Sequence, residues 1–238
     1  MNAERLRSGL ARMGIPADET ALERFFAFHA LLDEANRHMD LTAVLSEDES
    51  VDRHDLDSAV PLCFSLLPEG ARVIDVGTGA GFPGMPLLIL RPDLHMTFLD
   101  AQQKRVRFLE QVLDKLGLSG TALHARAEDA ARLPEHRDAY DRAFSRAVAA
   151  SPVLMELTLP FVRPGGMSVA WKGPAATAEF PQAKRAAFLL GASLREPLPA
   201  PIPNREDWAH VLLIADKERL TPKLYPRKPG TPAKKPLG

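Results

Sequence analysis

The amino-acid sequence predicts an α/β fold in which a mostly parallel, seven-stranded sheet carries helices on both faces and follows an N-terminal helical cap. Short apolar runs alternate along the chain with amphipathic stretches of helical periodicity, as in repeated β-α units. The first run leads into a glycine-rich turn, and the last two are separated by a proline-rich loop. We expect three regions: the cap over residues 1–65, the sheet domain over 66–220 and a basic, proline-rich tail over 221–238.

Each region follows from its own pattern. In the cap, Leu22, Phe25 and Leu32 fall on one apolar stripe between charged residues, which predicts amphipathic helices. The strand-like runs are residues 72–76, 95–100, 121–125, 140–144, 167–171, 193–196 and 210–215. The helical segments between them include residues 85–90, 103–116 and 153–162. Because the last two runs have no helix between them, we expect them to close the sheet as an antiparallel hairpin.

Composition excludes several classes of protein. The 238 residues include 30 Lys and Arg against 31 Asp and Glu, so a generic polycation that coats nucleic acid is excluded and a polyanionic partner has to meet a local basic patch. A single cysteine, Cys63, excludes a disulfide framework and a cysteine-based metal site, and no metal is expected. No membrane span or signal-peptide pattern is present, and we expect a cytoplasmic monomer.

A glycine-rich turn follows the run at residues 72–76. The turn, Gly77-Thr78-Gly79-Ala80-Gly81, exposes backbone N–H groups and lets a nucleotide-like ligand approach where a Cβ would obstruct it. Asp100 ends the next run, where a carboxylate can accept both hydroxyls of a ribose. Together they predict a nucleotide-type cofactor site at the carboxyl ends of the strands.

The same turn allows a different cofactor. Residues 79–84 satisfy the G-x-G-x-x-G pattern of dinucleotide-binding folds, so a nicotinamide or flavin enzyme has to be considered. Asp75 argues for a ligand with a cationic amino-acid end, because a carboxylate at this point repels a pyrophosphate. Pro83 and Pro86 remove N–H donors that phosphate oxygens would use. The glycines could also serve only a tight turn, with Asp100 as a solvated strand end.

The motif from Asp75 to Gly81, with Asp100, resembles the S-adenosylmethionine site of class I methyltransferases. Further motifs extend this resemblance over nearly the whole chain: Leu41-Thr42, Arg53-His54, Asp57-Ser58, Phe82-Pro83-Gly84-Met85-Pro86, Lys104-Arg105, Phe108-Leu109, Ala127-Glu128, Ser145-Arg146-Ala147-Val148, Pro164-Gly165-Gly166, Lys172-Gly173 and Tyr225-Pro226-Arg227-Lys228-Pro229-Gly230. The whole set resembles the bacterial 16S rRNA guanine-N(7)-methyltransferase family. Where that family usually has Asn, this chain has Asp40.

This resemblance implies a Rossmann-like class I methyltransferase fold, S-adenosylmethionine as donor with S-adenosylhomocysteine as product, and 16S rRNA or the small ribosomal subunit as partner. Ring nitrogen 7 of guanine carries a lone pair and no proton, so we expect no general base and no catalytic triad. Two alternatives stay open: a class I methyltransferase that acts on a protein or small molecule, and a nucleotide-binding module without catalysis.

The resemblance also assigns roles to individual residues. It implies that Gly77 and Phe82 line the cofactor, that Ala127 and Glu128 flank the adenine, and that Arg146 lies at the active cleft. The expected cofactor-binding residues are therefore Asp75, Gly77, Gly79, Gly81, Phe82, Asp100, Ala127, Glu128 and Arg146. Arg146 and His54 are the candidate catalytic residues. Glu128 could instead be a charge at a helix N-terminus, Arg146 a surface ion pair, and His54 a histidine satisfied within the cap.

Basic residues late in the chain are the candidates for RNA contact. We expect phosphate contacts from Lys172, Lys223, Arg227, Lys228, Lys234 and Lys235. The tail has five prolines, five basic residues and no acid, which predicts an extended or mobile segment unless a partner orders it. On this interpretation, removing the basic side chains of the tail weakens RNA binding and leaves cofactor affinity unchanged.

Overall fold

The computed structural model describes residues 1–39, 41–43, 46–205 and 207–238. Asp40, the departure from the family pattern, lies outside them. The helices are α1 (Ala3–Arg12), α2 (Glu19–Met39), α3 (Glu47–Ser50), α4 (Asp57–Cys63), α5 (Gly84–Leu90), α6 (Gln103–Leu116), α7 (Ala127–Ala130), α8 (Ser151–Thr158), α9 (Ala176–Leu189) and α10 (Thr231–Lys234). The strands are β1 (Arg72–Val76), β2 (His95–Asp100), β3 (Gly120–His124), β4 (Tyr140–Arg146), β5 (Val162–Lys172), β6 (Ala192–Leu194), β7 (Leu198–Pro199) and β8 (Val211–Lys217).

The strands form one mixed sheet in the order β3-β2-β1-β4-β5-β8-β6. The pairs among β1 to β5 are parallel, and β8 runs antiparallel to both β5 and β6, so the predicted mostly parallel α/β sheet and its antiparallel closure are confirmed. The structure adds one short strand, β7, which arises in the proline-rich loop and pairs with β8. The chain order reverses between β1 and β4, which opens a crevice at the carboxyl ends of these strands.

The cap shares its core with the sheet domain. Phe25 and Phe28 of α2 are fully buried and belong to the same apolar cluster as Phe98 of β2 and Leu109 of α6. In α6, Val106, Leu109 and Val112 of the same helical face are buried. The cap therefore lies directly above the turn after β1. Within the described ranges, no helix is long and apolar enough to cross a membrane.

A π-helical stretch, Val51–Leu56, joins α3 to α4 within the cap. Its Asp52 is fully buried and accepts hydrogen bonds from Arg5 and from Arg205, each at 2.7 Å. Burial favours a higher pKa for Asp52, but the hydrogen bonds from these two arginines outweigh it and hold the pKa below its ordinary value. The paired carboxylate thus anchors the segment that carries His54.

The basic tail packs against the sheet domain. Arg137 donates hydrogen bonds to the carbonyl oxygens of Thr221, at 2.8 Å, and of Tyr225, at 2.9 Å, and Arg132 donates to the carbonyl of Pro226. The prediction of an extended or mobile tail is therefore wrong. Its composition could not reveal this packing, because the side chains that hold it lie in a distant part of the sequence.

Candidate functional site

The turn after β1 passes close beneath Val148. Gly77 has φ +71°, in the left-handed region that favours glycine, and a Cβ there would lie 2.5 Å from Cγ2 of Val148. Its N–H donates to the carbonyl of Leu99 at 2.8 Å, which ties the turn to the end of β2. A side chain at position 77 would close the space between the turn and Val148.

Asp100 fixes the turn from the other side. Its Oδ2 accepts the Gly79 N–H at 3.0 Å, and its Oδ1 accepts the Gln102 N–H at 2.8 Å. Arg105 lies 3.4 Å from Oδ2. A carboxylate has about four lone-pair sites, and the N–H groups of Gly79 and Gln102 use two of them, so two ribose hydroxyls can be accepted if Arg105, at the longer distance, is displaced. The Asp100 side chain is nearly buried and lies at the cleft, where two hydroxyls of a ribose would meet it.

Asp75 has an unused hydrogen-bond acceptor. Its Oδ2 accepts from the hydroxyl of Thr78 at 2.7 Å and from the N–H of Gly84 at 3.0 Å. Its Oδ1 is buried and has no partner among the residues that the structure describes. Burial raises the pKa of Asp75 to about 6. An unpaired carboxylate oxygen of this kind fits the cationic end of a ligand.

The cofactor cleft, lined by Gly77, Asp100, Ala127, Glu128 and Val148, contains the predicted ribose and adenine residues. Most of the exposed area inside it is apolar, which suits an adenine ring. Glu128 is buried in α7 and uses one oxygen, Oε1, to accept the N–H of Gly230 at 2.9 Å. The residues present therefore fit the adenosine part of S-adenosylmethionine.

Five other predicted cofactor residues do not line this cleft: Asp75, Gly79, Gly81, Phe82 and Arg146. Gly81 faces the core, since a Cβ there would lie 2.9 Å from Cδ2 of Leu109. Phe82 lies beneath His54 and Arg146: the His54 ring stacks on it at 4.5 Å between centroids, and the Arg146 guanidinium lies 5.3 Å from its centroid. Phe82 thus packs against two residues of the region next to the cleft.

That region is the adjoining pocket, lined by His54, Asp57, Arg146, Trp171, Lys172 and His210. Arg146 ends β4 and Lys172 ends β5, so both point to the same edge of the sheet as Asp75 and Asp100. Ala149 lines both the cofactor cleft and the adjoining pocket, which places the two side by side. A methyl donor in the first would face an acceptor in the second.

Arg146 is the pocket's central cation. Its Nη1 donates to the carbonyl of Arg53 at 2.8 Å and lies 3.2 Å from Oδ2 of Asp57, and Nη2 lies 3.4 Å from Nδ1 of His54. His54 is also bonded to Thr42 at 3.1 Å. Burial, followed by the charge of Arg146, lowers the pKa of His54 to about 3. His54 is therefore a neutral imidazole at neutral pH: Nδ1 accepts from Arg146, and the single ring proton lies on Nε2, which is bonded to Thr42.

Sequence reasoning assigned no role to Asp57. This buried carboxylate faces Arg146 through Oδ2 and His210 through Oδ1, at 3.3 Å, while its backbone carbonyl accepts the indole N–H of Trp171 at 2.8 Å. It therefore positions three side chains of the adjoining pocket. The sequence signal for Asp57 was an acid at the start of the apolar run after Leu56. Its partners could not be predicted, because they lie 89 to 153 positions later.

The structure places the candidate RNA-binding residues in three different environments. Lys223, Lys228, Lys234 and Lys235 are exposed on the basic tail. Lys172 lies at the adjoining pocket, paired with Glu179 at 2.9 Å. Arg227 is instead engaged with buried Glu156, at 2.6 Å.

The fold and the paired cleft and pocket define an S-adenosylmethionine-dependent methyltransferase. Its fold is similar to that of the branched-chain polyamine synthase from Thermus thermophilus (TM-score 0.58, 18% identity, 82% of this chain and 64% of the synthase chain). It is also similar to that of M. jannaschii TYW2 in complex with AdoMet (TM-score 0.53, 17% identity, 74% of this chain and 79% of that one).

Sequence relatives give the family. The family described as rRNA small subunit methyltransferase G matches residues 21–197. The chain is 41% identical to ribosomal RNA small subunit methyltransferase G of Alkaliphilus metalliredigens, over 98% of this chain and 97% of the relative. It is 42% identical to the protein of that name from Halalkalibacterium halodurans, over the full length of both. The chain belongs to the rRNA small subunit methyltransferase G family.

Donor binding should depend on pH through Asp75. Its carboxyl is protonated below about pH 6 in the free protein, and a cationic ligand favours the charged form, so binding releases a proton at acidic pH. We expect affinity for S-adenosylmethionine to reach a plateau near pH 7 and to fall about tenfold for each unit below 6. Titration calorimetry between pH 5 and 7 measures both the affinity and the proton release.

Asp75→Asn should bind weakly at pH 7 and lose this pH dependence. Asp114→Asn, on the exposed face of α6, is the matched control and should retain the wild-type profile. A wild-type affinity that is flat from pH 5 to 7, or an unchanged slope in Asp75→Asn, would contradict a contact between Asp75 and the donor.

Proposed function

We propose that the chain transfers the sulfonium methyl group of S-adenosylmethionine to ring nitrogen 7 of a guanine in 16S rRNA. The observation that carries the proposal is the contiguity of the cofactor cleft and the adjoining pocket at the carboxyl ends of β1, β2, β4 and β5. When bound, the donor supplies an electrophilic methyl group. The S–C bond breaks as the N–C bond forms, S-adenosylhomocysteine leaves, and the guanine ring takes the positive charge.

The cofactor cleft would hold the donor through a few groups. Asp100 accepts the ribose hydroxyls, and Ala127 and Glu128 flank the adenine. The unpaired Oδ1 of Asp75 supplies a negative charge that would attract the ammonium group at the amino-acid end of the ligand. Gly79 acts indirectly, because its N–H holds the Asp100 carboxylate in place.

The proposed reaction needs no acid-base catalysis. Nitrogen 7 of guanine attacks with a lone pair, so no proton has to leave before the methyl group moves. A neutral His54 with a pKa of about 3 is compatible with that chemistry, because it cannot protonate the attacking nitrogen at neutral pH. Rate should come from alignment of nitrogen, carbon and sulfur, which is worth up to about 7–11 kcal/mol for well-oriented reactants.

The adjoining pocket offers donors suited to a guanine edge. Arg146 and Lys172 can donate to oxygen 6, which leaves the lone pair of nitrogen 7 free for the methyl group. Trp171 and His210 provide flat surfaces for an unstacked base. Arg146 also lies close to the cleft, so it can serve both the base and the donor.

Outside the pocket, affinity would come from phosphate contacts of Lys223, Lys228, Lys234 and Lys235. We take the partner to be 16S rRNA, free or within an assembling small subunit, and the chain to act as a cytoplasmic monomer. A protein or small-molecule acceptor would not need these lysines, and a non-catalytic module would not need the adjoining pocket.

Methyl transfer tests the proposal directly. Purified protein, incubated with methyl-labelled S-adenosylmethionine and either 16S rRNA or small subunits, should label one guanine as 7-methylguanine on nuclease digestion and mass spectrometry. S-adenosylhomocysteine should suppress the label. Label on another ring atom or on ribosomal protein, or no label with either substrate, would contradict the proposal.

The exposed lysines of the tail should act on RNA alone. Replacing Lys228, Lys234 and Lys235 by Ala removes three phosphate contacts, each of which contributes about 0.7 to the steepness of the fall of log affinity with log salt on a single strand. The slope should therefore become less steep by about 2. Fluorescence anisotropy with labelled RNA, at salt concentrations from about 50 to about 200 mM, measures the affinity and gives the slope.

A charge-matched control replaces Lys115, Lys184 and Arg185, which are exposed on α6 and α9. It should leave the slope near the wild-type value. An equal drop in both triple variants would mean that net charge, and not the tail, determines RNA affinity.

A further inference from the structure

Arg227 makes an ion pair that phosphate binding would have to break. Its Nη2 lies 2.6 Å from Oε2 of Glu156, its Nε 2.9 Å from Oε1, and its backbone N–H donates to Oε1 at 2.7 Å. Glu156, in α8, is fully buried, and the Arg227 side chain is 23% exposed. The hydrogen bonds that Arg227 donates to Glu156 raise the pKa of Arg227, so its guanidinium stays charged at neutral pH.

This pair precedes the point at which the tail reaches the cofactor cleft. Three residues after Arg227, the N–H of Gly230 donates to Oε1 of Glu128, one of the residues expected beside the adenine. Gly230 and Ala233 themselves line the cleft. The tail is therefore one side of the cleft, opposite the turn after β1.

Before the cleft, hydrogen bonds among the described residues hold the tail at two places, and Tyr225 packs against the apolar core of α8 and α9. Upstream, Arg132 and Arg137 hold only carbonyl oxygens of the tail, as described above. Arg227 supplies a side-chain anchor next to the cleft, and its loss would leave the Glu156 carboxylate buried without a counter-charge. The free-energy cost of that unpaired buried charge favours release of the tail from α8.

We propose that residues 227–233 form the outer wall of the cofactor cleft, and that Arg227 is a positioning residue for donor binding that acts through Glu156. The inference rests on the proposed function in one respect, that the cleft holds S-adenosylmethionine. It reverses the expectation from the sequence that Arg227 serves RNA. The tail then has two roles: Arg227 and Gly230 complete the cleft, and the exposed lysines face the RNA.

Affinity measurements with four variants test the wall. Arg227→Ala should weaken binding of S-adenosylmethionine about tenfold or more, because only the fraction of molecules with a closed wall binds tightly. KM for the donor should rise, kcat at saturating donor should recover, and RNA affinity should stay within about twofold, as for a distant independent site. Arg227→Lys should recover part of the donor affinity, because it restores the charge without the bidentate geometry.

The double variant Glu156→Gln with Arg227→Gln removes the pair without leaving a buried charge, so it tests the wall even if Arg227→Ala does not fold. It too should lose donor affinity, and hydrogen exchange should show faster exchange at residues 227–233. As a control, Arg195→Ala breaks an exposed ion pair with Asp216, at 2.6 Å between β6 and β8 and away from the cleft, and should change neither affinity.

The results separate the wall from the proposed function. If the wild type binds the donor and Arg227→Ala weakens that binding, the wall stands even when no guanine is methylated. If Arg227→Ala lowers RNA affinity and leaves donor affinity intact, or if the folded double variant binds donor like the wild type, the wall proposal is overturned. A wild type that ignores the donor overturns both.

Discussion

The site depends on the hydrogen bonds that join Asp100, at the end of β2, to the glycine turn after β1. The carboxylate accepts the N–H of Gly79 and that of Gln102, so the ends of two neighbouring strands share one acceptor. Parallel pairing of β1 with β2 brings these strand ends to the same edge. This link and the hydrogen bond from the Gly77 N–H to the Leu99 carbonyl together fix the turn below Val148.

Buried carboxylates organise the remainder of the site in a similar way. Asp57 positions Arg146 and His210, Glu156 holds Arg227, and Asp75 keeps one oxygen free. A buried charge is stable only when it is paired or hydrogen-bonded, so each acid specifies where its partner lies. Asp75 departs from this pattern: its Oδ1 is buried without a partner among the described residues, and burial raises the pKa of its carboxyl to about 6.

Local chemistry made much of the fold predictable. The runs at residues 72–76 and 95–100 and the helix at 103–116 have the predicted limits, because apolar periodicity defines them and Gly117, at φ +60°, ends the helix. The structure also places Gly77, Asp100, Ala127 and Glu128 together at one cleft. Three features could not be predicted: the packing of the tail, strand β7 and the contacts of Asp57. They depend on residues far apart in the chain, such as Glu156 and Arg227, which is 71 positions later. Periodicity and spacing carry no information about such pairs.

The central claim is that S-adenosylmethionine lies over the turn at residues 77–81 with its ribose on Asp100. The most direct measurement is calorimetric titration of the donor into the wild type and into Asp100→Ala, with folding of both checked by circular dichroism. The account predicts that the wild type binds and that the variant loses roughly 1.5–3 kcal/mol or more, the usual value of hydrogen bonds to a charged group. Equal affinity in two folded proteins would contradict it.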